Sequence, residues 1–327
     1  MGRIGRIVFL GTGSFGVPLL RRLPDLADEV LVVSASGRPA GRGLQSRASP
    51  VAAEARSLGL ALATPVHLRS DAGRAAIRDF LPDGLLLASY GQLVPADLLA
   101  VTPRPPLNVH PSLLPRHRGA SPVAAAILAG DALTGVSLMV MTPELDAGPI
   151  VTQWAVPIGG REEAPELEAR LAALAAEEVP QLLETWAGAG VQAHPQDPAL
   201  VTMVREFTRE DGRIDWARPA DEIDRQVRAL QPWPGAWTTL GERRLHVRRA
   251  HPDETASDVP ALDAPASDSR APAPDRRPGD VLPGAPVSIV TGLGLLVLDE
   301  VQPAGRPIMA ADAWRNGIQD SRVRLGG

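Results

Sequence analysis

The stretch Leu107 to Pro122, LNVHPSLLPRHRGASP, sets an amide and an imidazole two residues apart. Side chains alternate faces along an extended strand, so Asn108 and His110 point the same way. Pro111 has no N–H to give, so the strand stops there. A donor and a titratable ring are thus presented side by side at a strand's carboxyl end, the edge where open α/β sheets bind ligands. About thirty residues on, TPELDAGPI places Asp146 after another strand end and before a Gly-Pro turn.

Each residue alone has a plain structural use. A single His is most often a satisfied structural side chain, a single Asn before a turn caps it, and an Asp before Ala-Gly forms a turn. Together, an Asn, a His and an Asp suit attack of an amine on a carbonyl-like carbon. The Asn amide can donate to the developing oxyanion. The imidazole can do the same when protonated, or relay a proton near neutral pH. The carboxylate can bias the imidazole and draw a proton from the attacking ammonium through water. No Ser or Cys nucleophile is evident, so direct transfer is the simpler scheme.

The elements that must hold these residues alternate. Arg6 to Leu10 is an apolar strand, followed by a helix with Leu19, Leu20 and Leu23. Further strands are expected at Val30–Ala35, Leu60–Ala63, Gly84–Ser89, Gly135–Met141 and Gly148–Val156, with helices between. Such alternation predicts a doubly wound, mostly parallel Rossmann-like sheet. A helix from Pro165 to Trp186, kinked or restarted at Pro180, follows. Residues 1–187 then form the catalytic domain and 188–205, rich in Gly, Pro, Gln and His, a linker. Residues 206–327 hold a helix from Pro219 to Leu230 and short strands, which predicts a small C-terminal β-barrel of the OB type. Residues 252–279, dominated by Ala, Pro, Asp and Ser, read as a disordered insertion.

GTGSFG at Gly11 to Gly16 is a G-x-G-x-x-G after a strand, which raises a dinucleotide-binding reading and with it a nicotinamide dehydrogenase. That fingerprint also wants an acid at the end of the second strand. None follows VLVVSA until Glu54, so a tight strand–helix turn without a nucleotide is favoured.

Bulk properties narrow the rest. The chain of 327 residues is 44% hydrophobic, with no apolar run reaching the span of about 18 residues that a membrane requires. The amino terminus reads as a first core strand and not as a signal peptide. There is no Cys, which excludes disulfides and thiolate metal sites. A cytoplasmic monomer without a metal or a membrane partner is expected. Net charge is −5, so no bulk basic field argues for nucleic acid. All 33 basic residues are Arg, which excludes Schiff-base chemistry and a P-loop lysine.

NVHPSLLPRHRGASP with TPELDAGPI resembles the signature of the 10-formyltetrahydrofolate-dependent formyltransferases, and the likeness extends over nearly the whole chain. The resemblance implies Asn108, His110 and Asp146 as the catalytic three and 10-formyltetrahydrofolate as formyl donor. It implies that Ser112, Leu113, Leu114 and Pro115 contact the folate, and that SYGQLVP (Ser89–Pro95) lines the pterin pocket. RPAGRG, Arg38 to Gly43, resembles the inserted loop of the members that act on initiator methionyl-tRNA, with Arg38 and Arg42 as tRNA contacts. RIDW (Arg213–Trp216) and PWPGAW (Pro232–Trp237) are similar to those members' carboxy-terminal barrel, whose face would offer Arg228, Arg243, Arg244, Arg248 and Arg249 to phosphates. An amino sugar nucleotide is the alternative acceptor, because sugar-modifying members share the barrel. An RNA-binding module without catalysis is disfavoured, because all three polar residues are present. Three departures stand out: His117 replaces the family's usual aromatic, the first turn reads GTG where GTP is commoner, and residues 252–279 have no counterpart.

Overall fold

The computed structural model describes residues 3–36, 38–40, 45–188, 190–254, 276–318 and 323–326. The chain divides into two compact units. One comprises Met1–Val123, Ala132–Ile158 and Glu166–Glu206, the other Ala124–Asp131, Gly159–Pro165 and Phe207–Gly327.

The first unit is built on a seven-stranded sheet. Its spatial order is Ile150–Pro157, Leu133–Val140, Leu107–His110, Gly84–Ala88, Ile4–Gly11, Ala27–Val33 and Ala61–Ala63. From Leu107–His110 onward all pairings are parallel, while the two edge strands at the other end run antiparallel. The strand Ile4–Gly11 is where chain order reverses: later strands add on one side of it up to Ala61–Ala63, then on the other from Gly84–Ala88. The central strands are near-continuous apolar runs, as sheets covered on both faces require.

The helix Ala164–Gly188 runs through Pro180 without a restart, contrary to the break the sequence suggests. Its stripe of Leu167, Leu171, Ala175, Val179 and Leu183 is buried at four-residue spacing, and that burial outweighs the one hydrogen bond a proline removes. Trp186 ends the stripe. Its indole donates to the Pro105 carbonyl at 3.1 Å and lies so close to Gly84 that any Cβ there would overlap the ring.

The glycines of GTGSFG serve close approach. A Cβ on Gly16 would meet the Ala88 carbonyl oxygen at 2.9 Å, and one on Gly11 would meet the Phe9 ring at 2.7 Å. The amides of Thr12 and Gly13 both donate to the Ser89 carbonyl, at 2.9 and 3.1 Å. Backbone donors that a pyrophosphate would need are therefore spent on the neighbouring strand, which fits the tight-turn reading.

The second unit carries an antiparallel sheet in the order Trp237–Leu240, Arg243–Pro252, Leu295–Pro303 and Ser288–Val290, with Met309–Ala310 paired to Leu295–Pro303. The helix Ala220–Ala229 contributes Ile223 and Val227 to a core with Trp216, Val247, Ile289 and Leu298. Arg228 does not face phosphates as the sequence suggests: it is nearly buried against Asp224 at 2.9 Å and donates to the Glu162 carbonyl. Arg244 lies over the Trp237 ring at 4.0 Å, while Arg243 and Arg249 are exposed. The bulk of the segment 252–279, residues 255–275, lies outside the described residues.

Candidate active site

The strand Leu107–His110 is buried throughout and has a neighbour on each side. Asn108 stands opposite Leu87 and Met139, and His110 opposite Ser137. Strand alternation turns both polar side chains to one face, where Asp146 meets them. Asp146 lies in the turn between Leu133–Val140 and Ile150–Pro157. Gly148 permits that turn, because a Cβ there would strike the Val140 carbonyl.

The three side chains are buried, between 5% and 8% exposed. Asn108 Nδ2 donates to Asp146 Oδ1 at 3.2 Å, and the Gly119 amide donates to Asp146 Oδ2 at 2.8 Å. His110 Nδ1 lies 3.6 Å from Asp146 Oδ2, an ion-pair contact when the ring is protonated. On its other side His110 Nε2 is 3.0 Å from the carbonyl oxygen of His117. A carbonyl only accepts, so Nε2 carries a proton and Nδ1 is the nitrogen turned toward Asp146.

Two residues hold left-handed backbone here. Asp146 has φ +51° and His117 has φ +58°, conformations worth about 1 kcal/mol or more of strain for a non-glycine residue. Asp and His are among the types that tolerate this region best, which gives a backbone use for the His at position 117. Gly119, at φ +111°, has no such latitude: a Cβ would meet the Val204 carbonyl at 2.1 Å.

Beside the three residues is a cavity of about 80 Å³. Asn108 and Asp146 are among its polar lining residues, with Gln92, Thr142 and Glu144, and Leu87, Tyr90, Val94 and Met139 are among its apolar walls. Two buried polar atoms of these lining residues have no partner among the described residues: Asn108 Oδ1 and the Tyr90 hydroxyl. Burial pushes the Tyr90 hydroxyl up to about 12, so it remains a neutral donor at any working pH. Orphaned buried polar atoms cost about 1–3 kcal/mol each until a ligand satisfies them. The donor set fits a flat heterocycle with hydrogen-bonding edges, and no group of three or more metal-ligating side chains occurs among the described residues.

The loop Ser112–Pro115 is tied down from behind. Ser112 and Leu114 are buried, with the Ser112 hydroxyl donating to the Arg116 carbonyl. Gln153 Nε2 donates to the Leu114 carbonyl at 2.9 Å, and the Ser137 hydroxyl accepts from the Leu114 amide at 3.0 Å. Leu113 and Pro115 keep partly exposed side chains. Arg38 opens the short strand Arg38–Ala40, paired with Gln45–Arg47, and Arg42 lies outside the described residues. Sequence reasoning missed Tyr90 as a polar group, Gly119 as a donor to Asp146, and Gln196 and Thr202 behind the site. Only the hydroxyl of a tyrosine in an apolar loop hinted at the first.

A mostly parallel α/β sheet with an amide, an imidazole and a carboxylate gathered at its carboxyl edge, followed by a small antiparallel unit, is the build of a group-transfer enzyme. The chain belongs to the formyl transferase family: residues 5–183 match that family, and residues 206–319 match its C-terminal domain. It is 43% identical to a methionyl-tRNA formyltransferase of Roseiflexus castenholzii, over 98% of this chain and 99% of that one. It is 38% identical to the Roseobacter denitrificans protein of the same name, with the same coverage. Among solved structures it resembles the sugar 3N-formyl transferase WlaRD (TM-score 0.65, 14% identity, 94% of this chain and 100% of that one). It also resembles HypX from Aquifex aeolicus in complex with tetrahydrofolic acid (TM-score 0.62, 19% identity, 94% of this chain); there this chain spans about half the length, 46%. No helix among the described residues is long and apolar enough to cross a membrane.

Proposed function

We propose that the chain transfers the formyl group of 10-formyltetrahydrofolate to the α-amine of methionine on initiator methionyl-tRNA, in the cytoplasm and as a monomer. The observation that carries the chemistry is the convergence of Asn108, His110 and Asp146 within hydrogen-bond and ion-pair distance beside a cavity lined by orphaned polar atoms. The acceptor is supported by the relatives matched end to end at 36–43% identity, which carry that activity in their names.

When bound, the folate supplies an activated formyl carbon. The chain's residues do the rest. Tyr90 and Asn108 Oδ1 hold the heterocycle's edge, with Leu113 and Pro115 offering apolar surface. The second N–H of Asn108 and a protonated His110 Nδ1 stabilise charge building on the formyl oxygen. Asp146 draws a proton from the attacking ammonium through water. The new C–N bond forms as the bond from the formyl carbon to the folate nitrogen breaks, and that nitrogen takes up the proton the amine loses.

The deciding experiment measures formyl transfer from the folate donor to charged initiator tRNA and, in parallel, to an amino sugar nucleotide. Transfer to the sugar alone would replace the acceptor. Arg38 and Arg42 are the proposed phosphate contacts of the tRNA-bound state. Arg42→Ala is expected to lower kcat/KM for charged tRNA while the donor's KM holds, because the loss of one guanidinium–phosphate contact falls on the acceptor only.

A further inference from the structure

Residues 194–204, which read in the sequence as linker, are bonded to both loops of the site. His194 and Ile150 exchange a pair of backbone hydrogen bonds at 2.8 Å. Met203 and Val204 pair in parallel with Arg118 and Gly119. The Thr202 hydroxyl accepts from the His117 amide at 2.7 Å. Gln196 is the centre of the arrangement. Its Nε2 donates to the carbonyls of Asp146 and Gly148, at 2.8 and 2.7 Å. Its Oε1 accepts from Arg118 Nε and Nη2, at 2.9 and 2.6 Å. One carboxamide has two N–H donors and one oxygen with two lone pairs, so all of its capacity is used.

Of the four non-glycine residues in left-handed backbone among the described residues, Asp146 and His117 are gripped by this segment: Gln196 holds the first by its carbonyl and Thr202 the second by its amide. Each in turn sets one side of His110, since Asp146 faces Nδ1 and the His117 carbonyl receives Nε2. Strained conformations persist only where surroundings over-determine them. We propose that Gln196 is a positioning residue for formyl transfer. It joins the Arg118 loop to the Asp146 turn and keeps the carboxylate at its working distance from His110, without touching substrate. The proposal rests on the formyl-transfer reading above.

The test compares the full chain with Gln196→Ala and Gln196→Glu. Glu keeps the length and the pairing with Arg118 but has no N–H for the two carbonyls. Both variants are expected to lose turnover by about ten- to a hundredfold, the scale of a displacement near 1 Å at reacting groups. KM for donor and acceptor is expected to hold near wild type. Q196E, which leaves the two carbonyls unmet, is expected to lower the thermal midpoint by only a few degrees, so that at the assay temperature the variant stays folded and the loss of turnover far exceeds any loss of folded protein. A merely structural residue would give the opposite split: folded variants that turn over like wild type, or activity lost only in step with a lowered midpoint. Either result overturns the proposal. If wild type transfers formyl and Q196E matches it, this inference alone falls; if wild type transfers none, the functional reading falls with it.

Discussion

Two loops at the same sheet edge make opposite use of their polar atoms. At Gly11–Gly16, a sequence that reads like a nucleotide cradle spends the amides of Thr12 and Gly13 on the Ser89 carbonyl and packs its glycines against strand Gly84–Ala88. At Asn108–Gly119, which matches no nucleotide fingerprint, buried polar atoms have no partner among the described residues: Asn108 Oδ1, and the hydroxyl of Tyr90, another residue lining the cavity. The difference teaches that a motif advertises a ligand only where its donors are left unspent. A satisfied loop is architecture, and an unsatisfied one awaits something.

The sharpest way to break the contrast is at the second loop. Asn108→Ala and His110→Ala are each expected to lower turnover by about two orders of magnitude or more, the scale of an oxyanion donor or a general acid–base. Steady-state rates near wild type in either folded variant would remove the site from that loop. At the first loop the expected effect is on stability alone. Gly16→Ala, forced against the Ala88 carbonyl, is expected to cost about 1–3 kcal/mol in denaturant unfolding. Titration calorimetry with NAD is expected to give no binding heat, and tight binding would restore the cradle.

The gentlest change is Tyr90→Phe. Removing an orphaned hydroxyl is expected to leave the free protein as stable or slightly more so, while donor binding weakens by up to about tenfold. Tyr90 is the chain's only tyrosine, so ultraviolet titration reads it alone. The folded hydroxyl is expected to ionise near 12 against about 10 when unfolded. The unfolded state therefore loses its proton first. Stability from this group is full below about pH 10 and falls as pH rises toward 12, a slope that Tyr90→Phe abolishes.

Much of this was legible in the chain's text. Apolar runs bounded by glycine gave the parallel sheet, and period-two alternation before Pro111 gave the shared face of Asn108 and His110. The meeting with Asp146 needed the resemblance, because a separation of 36 residues and more carries no local signal. Gln196 and Thr202 were illegible for a different reason. Apart from the Arg118 guanidinium, their side-chain partners are backbone atoms, which every residue has, and PQDPAL has the composition of an exposed connector. Pro180 misled because a local rule predicts a break, whereas a stripe of buried side chains on both sides of it holds the helix together.

The placement of Leu107–His110 between two neighbours has a dynamic consequence. An interior strand does not breathe by itself; it opens only with the sheet around it. Two of the three groups proposed to do the chemistry, Asn108 and His110, are therefore fixed to an interior strand, while Asp146 stands on a turn. Room for an incoming molecule beyond the present 80 Å³ has to come from the rim, where Leu93 and Leu145 stand nearly half exposed.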